Sequence, residues 1–223
     1  MSIVFESRVQ EEILRACLER GGSVFLDELE ERVRGFVRYR VSAALSQNSI
    51  ALENRGFVRR GRVGKRVLVE VVPEHAQRLR RVLGVGAKLC LVSGYTFNPD
   101  RPDDLTPLRN YVDALEKLRA EGIYIDRVVC FTVPVAKDLR VKHGVKPDPD
   151  REVVADFEVY RSGYNELKRL VYSVVEEEVK NFNLILDVTP LTKLFTDVLA
   201  EVSEKFDIPR IYHFGPSLVW IKR

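Results

Sequence analysis

Polar side chains that could bind a charged ligand occur in two loops, each of which follows a strongly apolar run. The first loop, residues 93–102, follows the run 88–93 and contains a glycine, whose backbone can approach a ligand closely. Its candidate binding residues are Ser93, Gly94, Tyr95, Thr96, Phe97 and Asn98. Tyr95 or Phe97 could stack on a nucleic-acid base. The alternative interpretation is a plain surface loop.

The second loop, residues 187–193, follows the apolar run 183–188 and leads directly into a helical pattern. A helix N-terminus offers free N–H groups and a positive field, so added hydroxyls and an ammonium group would complete a phosphate site. The candidates are Thr189, Pro190, Thr192 and Lys193. An ordinary cap remains the alternative, with Thr189 as N-cap, Pro190 at the first helical position and Lys193 in solvent.

The elements around these loops predict an α/β fold with a Rossmann-like, open parallel sheet. Strand-like runs alternate with helical stripes, and three of the runs are apolar enough to be buried on both faces. The predicted strands are 88–93, 127–133, 183–188, 210–213 and 218–221, and the predicted helices are 105–121, 164–180 and 191–205. Ligands of such sheets bind beyond the carboxyl ends of the strands, where both loops lie.

The N-terminal part of the chain has a different pattern, typical of a winged helix-turn-helix. Apolar spacing predicts helices over 6–18, 26–33 and 38–54, followed by strands at 57–58 and 67–72 around a turn from Gly61 to Gly64. A connecting helix is predicted over 73–83, with proline at its start and glycine after its end. We therefore expect a DNA-binding domain over residues 1–84 and a second domain over 85–223.

Positive charge is concentrated in the first domain. Residues 1–84 carry 16 Lys and Arg against 11 Asp and Glu, and the segment 32–66 holds ten basic residues against the single acid Glu53. Such a stripe favours binding to double-stranded DNA, in which the third helix enters the major groove and the wing contacts phosphates. A solvated arginine-rich face and a protein-docking module are the alternatives. The predicted DNA-binding residues are Arg38, Arg40, Ser42, Ser46, Gln47, Arg55, Arg59, Arg60, Arg62, Lys65 and Arg66.

Two segments resemble known families. Residues 52–60 resemble the junction between recognition helix and wing in bacterial and archaeal winged-helix regulators. Residues 187–193, a strand ending in Asp-x-Thr followed by Thr-Lys at a helix start, resemble the signature of the CARF domain, the CRISPR-associated Rossmann fold. That resemblance extends over 86–223. The family often has glycines where Pro190 and Leu191 stand here, and its best-known archaeal regulators carry the winged helix after the CARF domain.

The CARF resemblance implies a homodimer that binds a cyclic oligoadenylate, such as cyclic tetra-adenylate, across its two-fold axis. In this chain Thr189, Thr192 and Lys193 would hold phosphates or ribose, and Ser93, Gly94, Thr96 and Phe97 would form the facing wall. With the winged helix, this predicts a transcriptional regulator of a CRISPR system, controlled by a nucleotide messenger. The first alternative is a metal-independent ring nuclease that uses Ser93 and Lys193, and the second is a DNA-binding protein whose α/β domain only dimerises.

Composition and spacing argue against several other classes. No apolar run approaches the roughly 20 residues that cross a bilayer, and the N-terminus lacks the pattern of an export signal. Cys17, Cys90 and Cys130 are isolated in apolar contexts, so we expect core thiols in a reducing cytoplasm with no metal and no cofactor. The glycines near Lys65 do not have P-loop spacing, and the histidines lack the spacing of a fused ribonuclease.

Overall fold

A computed structural model describes residues 4–38, 40–101 and 103–223 of the chain. Contacts divide it into two units: the first comprises residues up to Ala87 together with Val179–Asn181, and the second comprises Lys88–Glu178 and Phe182–Arg223. The boundary that the sequence predicts, between residues 84 and 85, lies three residues before this division. No helix of the described residues combines the length and apolar composition needed to cross a membrane.

The first unit consists of helices and a three-stranded antiparallel sheet. Its elements are α1 Arg8–Glu19, β1 Ser23–Phe25, a 3-10 turn at Leu26–Leu29, α2 Glu30–Arg34, α3 Val41–Asn54, β2 Val58–Val63, β3 Arg66–Val71 and α4 Pro73–Leu83. The strand order is β1-β3-β2, and β2 and β3 form a hairpin. The hairpin turn lies at Gly64-Lys65, so Gly61 belongs to β2 and not to the turn.

Two local conformations explain where α3 begins and where the β2–β3 hairpin turns. The helix predicted from residue 38 starts at Val41, because Arg40 has φ 53°, which is outside the right-handed helical region. Gly64 has φ 62°, a left-handed conformation that a tight turn needs and that glycine adopts at little cost. Strand β1 was not predicted, since three residues are too short for a recognisable alternation.

The second unit is an α/β domain built on a six-stranded sheet. Its elements are β4 Lys88–Gly94, α5 Thr106–Ala120, β5 Arg127–Thr132, α6 Pro134–Lys142, β6 Arg151–Val154, α7 Phe157–Arg161, α8 Tyr164–Glu178, β7 Phe182–Asp187, α9 Lys193–Phe206, β8 Arg210–Phe214 and β9 Ser217–Lys222. The strand order is β6-β5-β4-β7-β8-β9, with all neighbours parallel except β8 and β9. The predicted parallel α/β architecture is therefore confirmed.

Helices cover both faces of the central strands. On one face, Ala114 and Leu118 of α5 pack in a buried cluster with Leu91 of β4 and Ile185 of β7. On the other face, Phe195 of α9 packs against Phe131 of β5, with ring centroids 5.2 Å apart. This burial on two faces explains why β4, β5 and β7 are nearly continuous apolar runs in the sequence.

All three cysteines are buried as free thiols. Burial raises the pKa of the Cys17 and Cys90 thiols to about 12. The pKa of Cys130 is also raised well above its ordinary value, and burial is again the main cause. The thiols therefore act as small apolar core groups.

Candidate functional site

The two loops selected from the sequence lie side by side at one edge of the sheet. Strands β4 and β7 are parallel neighbours, and Val92 is in register with Leu186. Their carboxyl ends therefore point the same way, and the β4–α5 and β7–α9 loops leave the sheet together. The topology creates the juxtaposition that a two-walled ligand site requires.

Asp187, at the end of β7, ties the two loops together. Its side chain is fully buried and accepts a hydrogen bond from the Ser93 hydroxyl, at 2.7 Å between Oγ and Oδ2. The other carboxylate oxygen accepts the backbone N–H of Thr189 at 3.0 Å. Ser93 is also fully buried. Ser93 thus supports the site through its hydrogen bond to Asp187, and its hydroxyl is not exposed to a ligand.

His213 of β8 extends this buried network, although no local sequence pattern indicates such a role for it. Its backbone N–H donates to the Thr189 hydroxyl oxygen at 2.9 Å, and its imidazole Nε2 lies 3.4 Å from Asp187 Oδ2. The ammonium of Lys117 on α5 lies 3.2 Å from Nδ1. Because an ammonium can only donate, Nδ1 is the acceptor and a neutral ring carries its proton on Nε2, towards Asp187. The network fixes the backbone and hydroxyl oxygen of Thr189.

The N-terminus of α9 is capped by Thr192. Its hydroxyl accepts the N–H of Phe195 at 3.3 Å and donates to the carbonyl of Tyr160 at 2.6 Å. The alternative cap with Thr189 as N-cap and Pro190 at the first helical position is therefore wrong: the helix begins two residues after the predicted 191, and Pro190 is buried before it. Thr192 therefore caps the start of the helix. Its hydroxyl proton is donated to the Tyr160 carbonyl, so it is not available to a ligand.

Lys193 is the first residue of α9 and is exposed. Within the described part of the chain, no acidic side chain forms an ion pair with its ammonium group. Thr189 is partly exposed, and its hydroxyl accepts from His213 but donates to no described group. A cation and a hydroxyl donor are therefore available beside the free N–H groups of a helix start, the chemistry that a phosphate group favours.

Leu191 lies between the two walls. It has φ 66°, a left-handed conformation that is unfavourable for a side chain with a Cβ atom. Its Cδ1 atom would lie 2.8 Å from a Cβ placed on Gly94, and the carbonyl oxygen of Phe131 would lie 2.9 Å away. Gly94 is therefore required by close packing, and the side chain of Leu191 occupies the space above it.

The β4–α5 loop contributes less aromatic surface than the sequence predicts. Tyr95 is fully buried, and its hydroxyl donates to Glu152, so its ring has no face with which to stack on a base. Burial raises the pKa of Tyr95, and the Glu152 carboxylate adds to that effect. Thr96, Phe97 and Asn98 are partly exposed. Phe97 is the remaining aromatic candidate, and the Pro102 end of the loop lies outside the described residues.

Half of the basic residues in the segment 32–66 form ion pairs with acidic side chains, most of them from other elements. Arg66 contacts Asp27 at 2.8 Å and Glu28 at 2.6 Å, and the hydrogen bond from Arg66 lowers the pKa of Asp27. The other paired members are Arg32 with Glu12 and Glu19, Arg34 with Glu31, Arg55 with Glu6 and Arg60 with Glu53. Arg55 also donates to the carbonyl of Val4 at 2.7 Å. These residues contribute less free charge than the sequence count suggests.

Five basic residues of the stripe remain exposed, and none has a side-chain partner among the described residues: Arg38, Arg40, Arg59, Arg62 and Lys65. Arg38 and Arg40 precede α3, whereas the other three lie on β2 or at the hairpin turn. On α3 itself, Ser42 and Gln47 are exposed and Ser46 is partly exposed. The unpaired charge thus flanks a helix with short polar side chains on its outer surface.

No protein-family model matches the chain, and no curated protein matches it. Among solved structures it is similar to Can2 from Sulfobacillus thermosulfidooxidans in complex with cyclic tetra-adenylate, at 18% identity and a TM-score of 0.40 over 60% of this chain and 34% of Can2. It is also similar to Csm6 from Enterococcus italicus bound to cyclic hexa-2′-fluoro-hexa-dAMP, at 18% identity and a TM-score of 0.39 over 59% of this chain and 34% of Csm6. The chain thus spans about a third of each of these proteins.

Proposed function

We propose that the protein is a homodimeric transcriptional regulator of a CRISPR system that binds DNA through a winged helix-turn-helix and is controlled by a cyclic oligoadenylate. The observation that carries the ligand half is the pair of neighbouring loops at the carboxyl edge of the sheet. Lys193 at the start of α9 has no ion-pair partner among the described residues, and the Thr189 hydroxyl in the loop before it donates to none of them. The resemblance of residues 187–193 to the CARF signature selects the ligand class. Cyclic tetra-adenylate is the member we expect to bind.

The ligand's phosphates would meet Lys193, the Thr189 hydroxyl and the free N–H groups of the first turn of α9. These groups attract negative charge without requiring a metal, because the ammonium and the helix field have the right sign. Phe97 would pack on an adenine from the facing loop. The buried Ser93–Asp187 hydrogen bond would hold the two walls in register.

A binding experiment with labelled cyclic tetra-adenylate tests this assignment. We expect the wild-type chain to bind and Lys193→Ala to lose about tenfold in affinity, which corresponds to ~1.4 kcal/mol. Lys142→Ala is the matched control, because Lys142 is also an exposed lysine of a helix but lies at the far end of α6. Absence of binding by the wild-type chain, or equal losses in both variants, would contradict the proposal.

The DNA half is supported by the element order and by the exposed cations. Three helices precede the β2–β3 hairpin, and Arg62 and Lys65 extend from the hairpin while Arg38 and Arg40 precede α3. In the proposed complex α3 would enter the major groove, and the hairpin would contact the phosphates beside it. Ligand would control DNA binding only through a difference in its affinity for the DNA-bound and free forms.

The ring-nuclease alternative gains no support from the geometry of Ser93. A residue that aligns a reacting hydroxyl must reach the ligand, but Ser93 is buried and donates to Asp187. The same labelled ligand reports on this reaction, because linear product would appear during the binding assay. Absence of any binding, together with retained DNA affinity, would favour the α/β unit as a dimerisation platform only.

A further inference from the structure

The β8–β9 hairpin has one apolar face that no described element covers. Tyr212 and Val219 are cross-strand partners on this face, and Phe214 follows at the end of β8. Their exposed fractions are 41%, 50% and 77%, respectively. The opposite face carries Ile211, Leu218 and Trp220, which pack in the buried cluster below α5. The hairpin is therefore apolar on both faces, although only one of them lies in the core.

Between its two end residues, Arg210 and Lys222, the same hairpin lacks charge. Residues 211–221 include no Asp, Glu, Lys or Arg, in a chain of which 31% of the residues are charged. The opposite edge of the sheet differs: β6 is only four residues long, and its Arg151 and Glu152 both form ion pairs. Proteins commonly protect an exposed sheet edge by such shortness and charge. An unprotected apolar face is typical of an interaction surface.

The position of the hairpin favours a second copy of this chain as the partner. Two copies of an uncharged apolar face meet without like-charge repulsion, so the surface is compatible with itself in a two-fold interface. The hairpin also adjoins the candidate ligand site, because the N–H of His213 donates to the Thr189 hydroxyl oxygen. A two-fold axis at the hairpin would run beside the ligand loops of both copies.

We propose that the apolar face formed by Tyr212, Phe214 and Val219 packs against the same face of a second copy as the homodimer interface. This inference rests on the proposed homodimer, and it identifies the surface that forms it. The two ligand loops then face a common axis, so a cyclic ligand with its own two-fold symmetry contacts both copies equivalently. Dimer formation does not itself require the ligand.

Sedimentation velocity of the full chain over a concentration series tests the interface. We expect wild type to sediment at twice the chain mass, and Phe214→Glu to raise the dimer dissociation constant by about tenfold or more. Val219→Lys should do the same, and it serves as the second variant if Phe214→Glu does not retain wild-type circular dichroism. The matched control is Phe157→Glu, which changes a phenylalanine that is 51% exposed on α7.

A dimer that dissociates in both hairpin variants and persists in Phe157→Glu supports the proposal. A wild-type monomer, dimers that persist in the folded hairpin variants, or dissociation by Phe157→Glu alone would overturn it. The measurement is made without ligand, so a chain that dimerises through the hairpin but binds no cyclic tetra-adenylate contradicts the ligand proposal and leaves this one standing.

Discussion

At the scale of single residues, Asp187 links the two loops of the candidate site. It is buried without an arginine or lysine directly on its carboxylate in the described residues, and it accepts from Ser93 and from the N–H of Thr189. A buried acceptor that satisfies two donors is costly to replace, because each unpaired donor keeps its desolvation penalty. The residue is therefore a positioning group for both walls.

We predict that Asp187→Asn lowers the free energy of unfolding by about 2 kcal/mol, since the amide offers only one acceptor oxygen for two donors. Urea denaturation measures the change. Asp197→Asn on the exposed surface of α9 is the control and should change stability by less than about 0.5 kcal/mol. Equal stabilities for the two variants would show that the buried network is unimportant.

We also predict that substitutions at Gly94 and Leu191, which meet between the two loops, change stability to very different extents. Gly94→Ala should destabilise strongly, because the new Cβ would collide with Leu191 and with the backbone oxygen of Phe131. Leu191→Gly should change stability by less than about 1 kcal/mol, because relief of the left-handed conformation offsets the lost packing. Thermal melting of both variants and of the double variant measures this. Full rescue of Gly94→Ala by Leu191→Gly would contradict a role for the Phe131 oxygen.

At the scale of elements, long apolar or periodic segments were predictable from sequence and short polar ones were not. Strands β4, β5 and β7 and helices α4, α5 and α8 lie within two residues of their predicted limits. Elements α6, β6 and α7 were missed, because they occupy a charged stretch in which no apolar run exceeds three residues. The edge strand β6 needs little apolar sequence, since only one neighbour pairs with it.

The candidate site was predictable as two loops but not as a network. Consecutive polar residues after an apolar strand gave Thr189 and Lys193, whereas His213 lies 26 residues beyond Asp187 and is brought to it only by the pairing of β7 with β8. A carboxylate at the end of an otherwise apolar strand was the available signal that a buried partner had to exist. The burial of Tyr95 depends on Arg140 and Glu152, distant residues that no local pattern indicates.

The β2–β3 hairpin yields a prediction at this scale. We expect Arg62→Ala to weaken binding to duplex DNA for all sequences and to reduce the slope of log affinity against log salt by about 1, because one phosphate contact is lost. Arg119→Ala is the matched control, since Arg119 is an exposed arginine of α5 in the other unit. Fluorescence anisotropy at several salt concentrations measures both. A salt-independent affinity would favour a protein partner for this unit.

At the scale of the whole molecule, charge pairing decides where positive potential remains. The segment 32–66 has ten bases and one acid, yet acids from α1, the 3-10 turn and α2 neutralise several of the bases. A charge count over the segment does not reveal this, because these acids lie outside it and those of α1 and the 3-10 turn approach it only through the fold. The remaining field is centred on the residues before α3 and on the hairpin.

These ion pairs also predict loss of stability in acid. Hydrogen bonds from Arg32, Arg66 and Lys146 are the largest influences that lower the pKa of Glu19, Asp27 and Asp148, respectively. Their folded pKa values lie below the ordinary 4.5 for Glu and 3.8 for Asp, so their stabilisation is present above those values and is lost as pH falls through the folded pKa. These ion pairs should therefore leave the melting temperature unchanged between neutral pH and about pH 5 and lower it below that, whereas His75, whose pKa is lowered by burial, should begin to lower it below about pH 6.5. An unchanged melting temperature at pH 3 would contradict this.

The three buried thiols have a practical consequence for labelling. Nucleophilic attack requires an accessible thiolate, and burial keeps Cys17, Cys90 and Cys130 protonated at neutral pH and inaccessible to reagents. A cysteine introduced at an exposed position, as in Lys193→Cys or Arg62→Cys, would therefore react with maleimides while the three native thiols remain unlabelled. The native chain can thus carry a fluorophore or spin label at a chosen site without prior removal of its own cysteines, and distances between copies become measurable in solution.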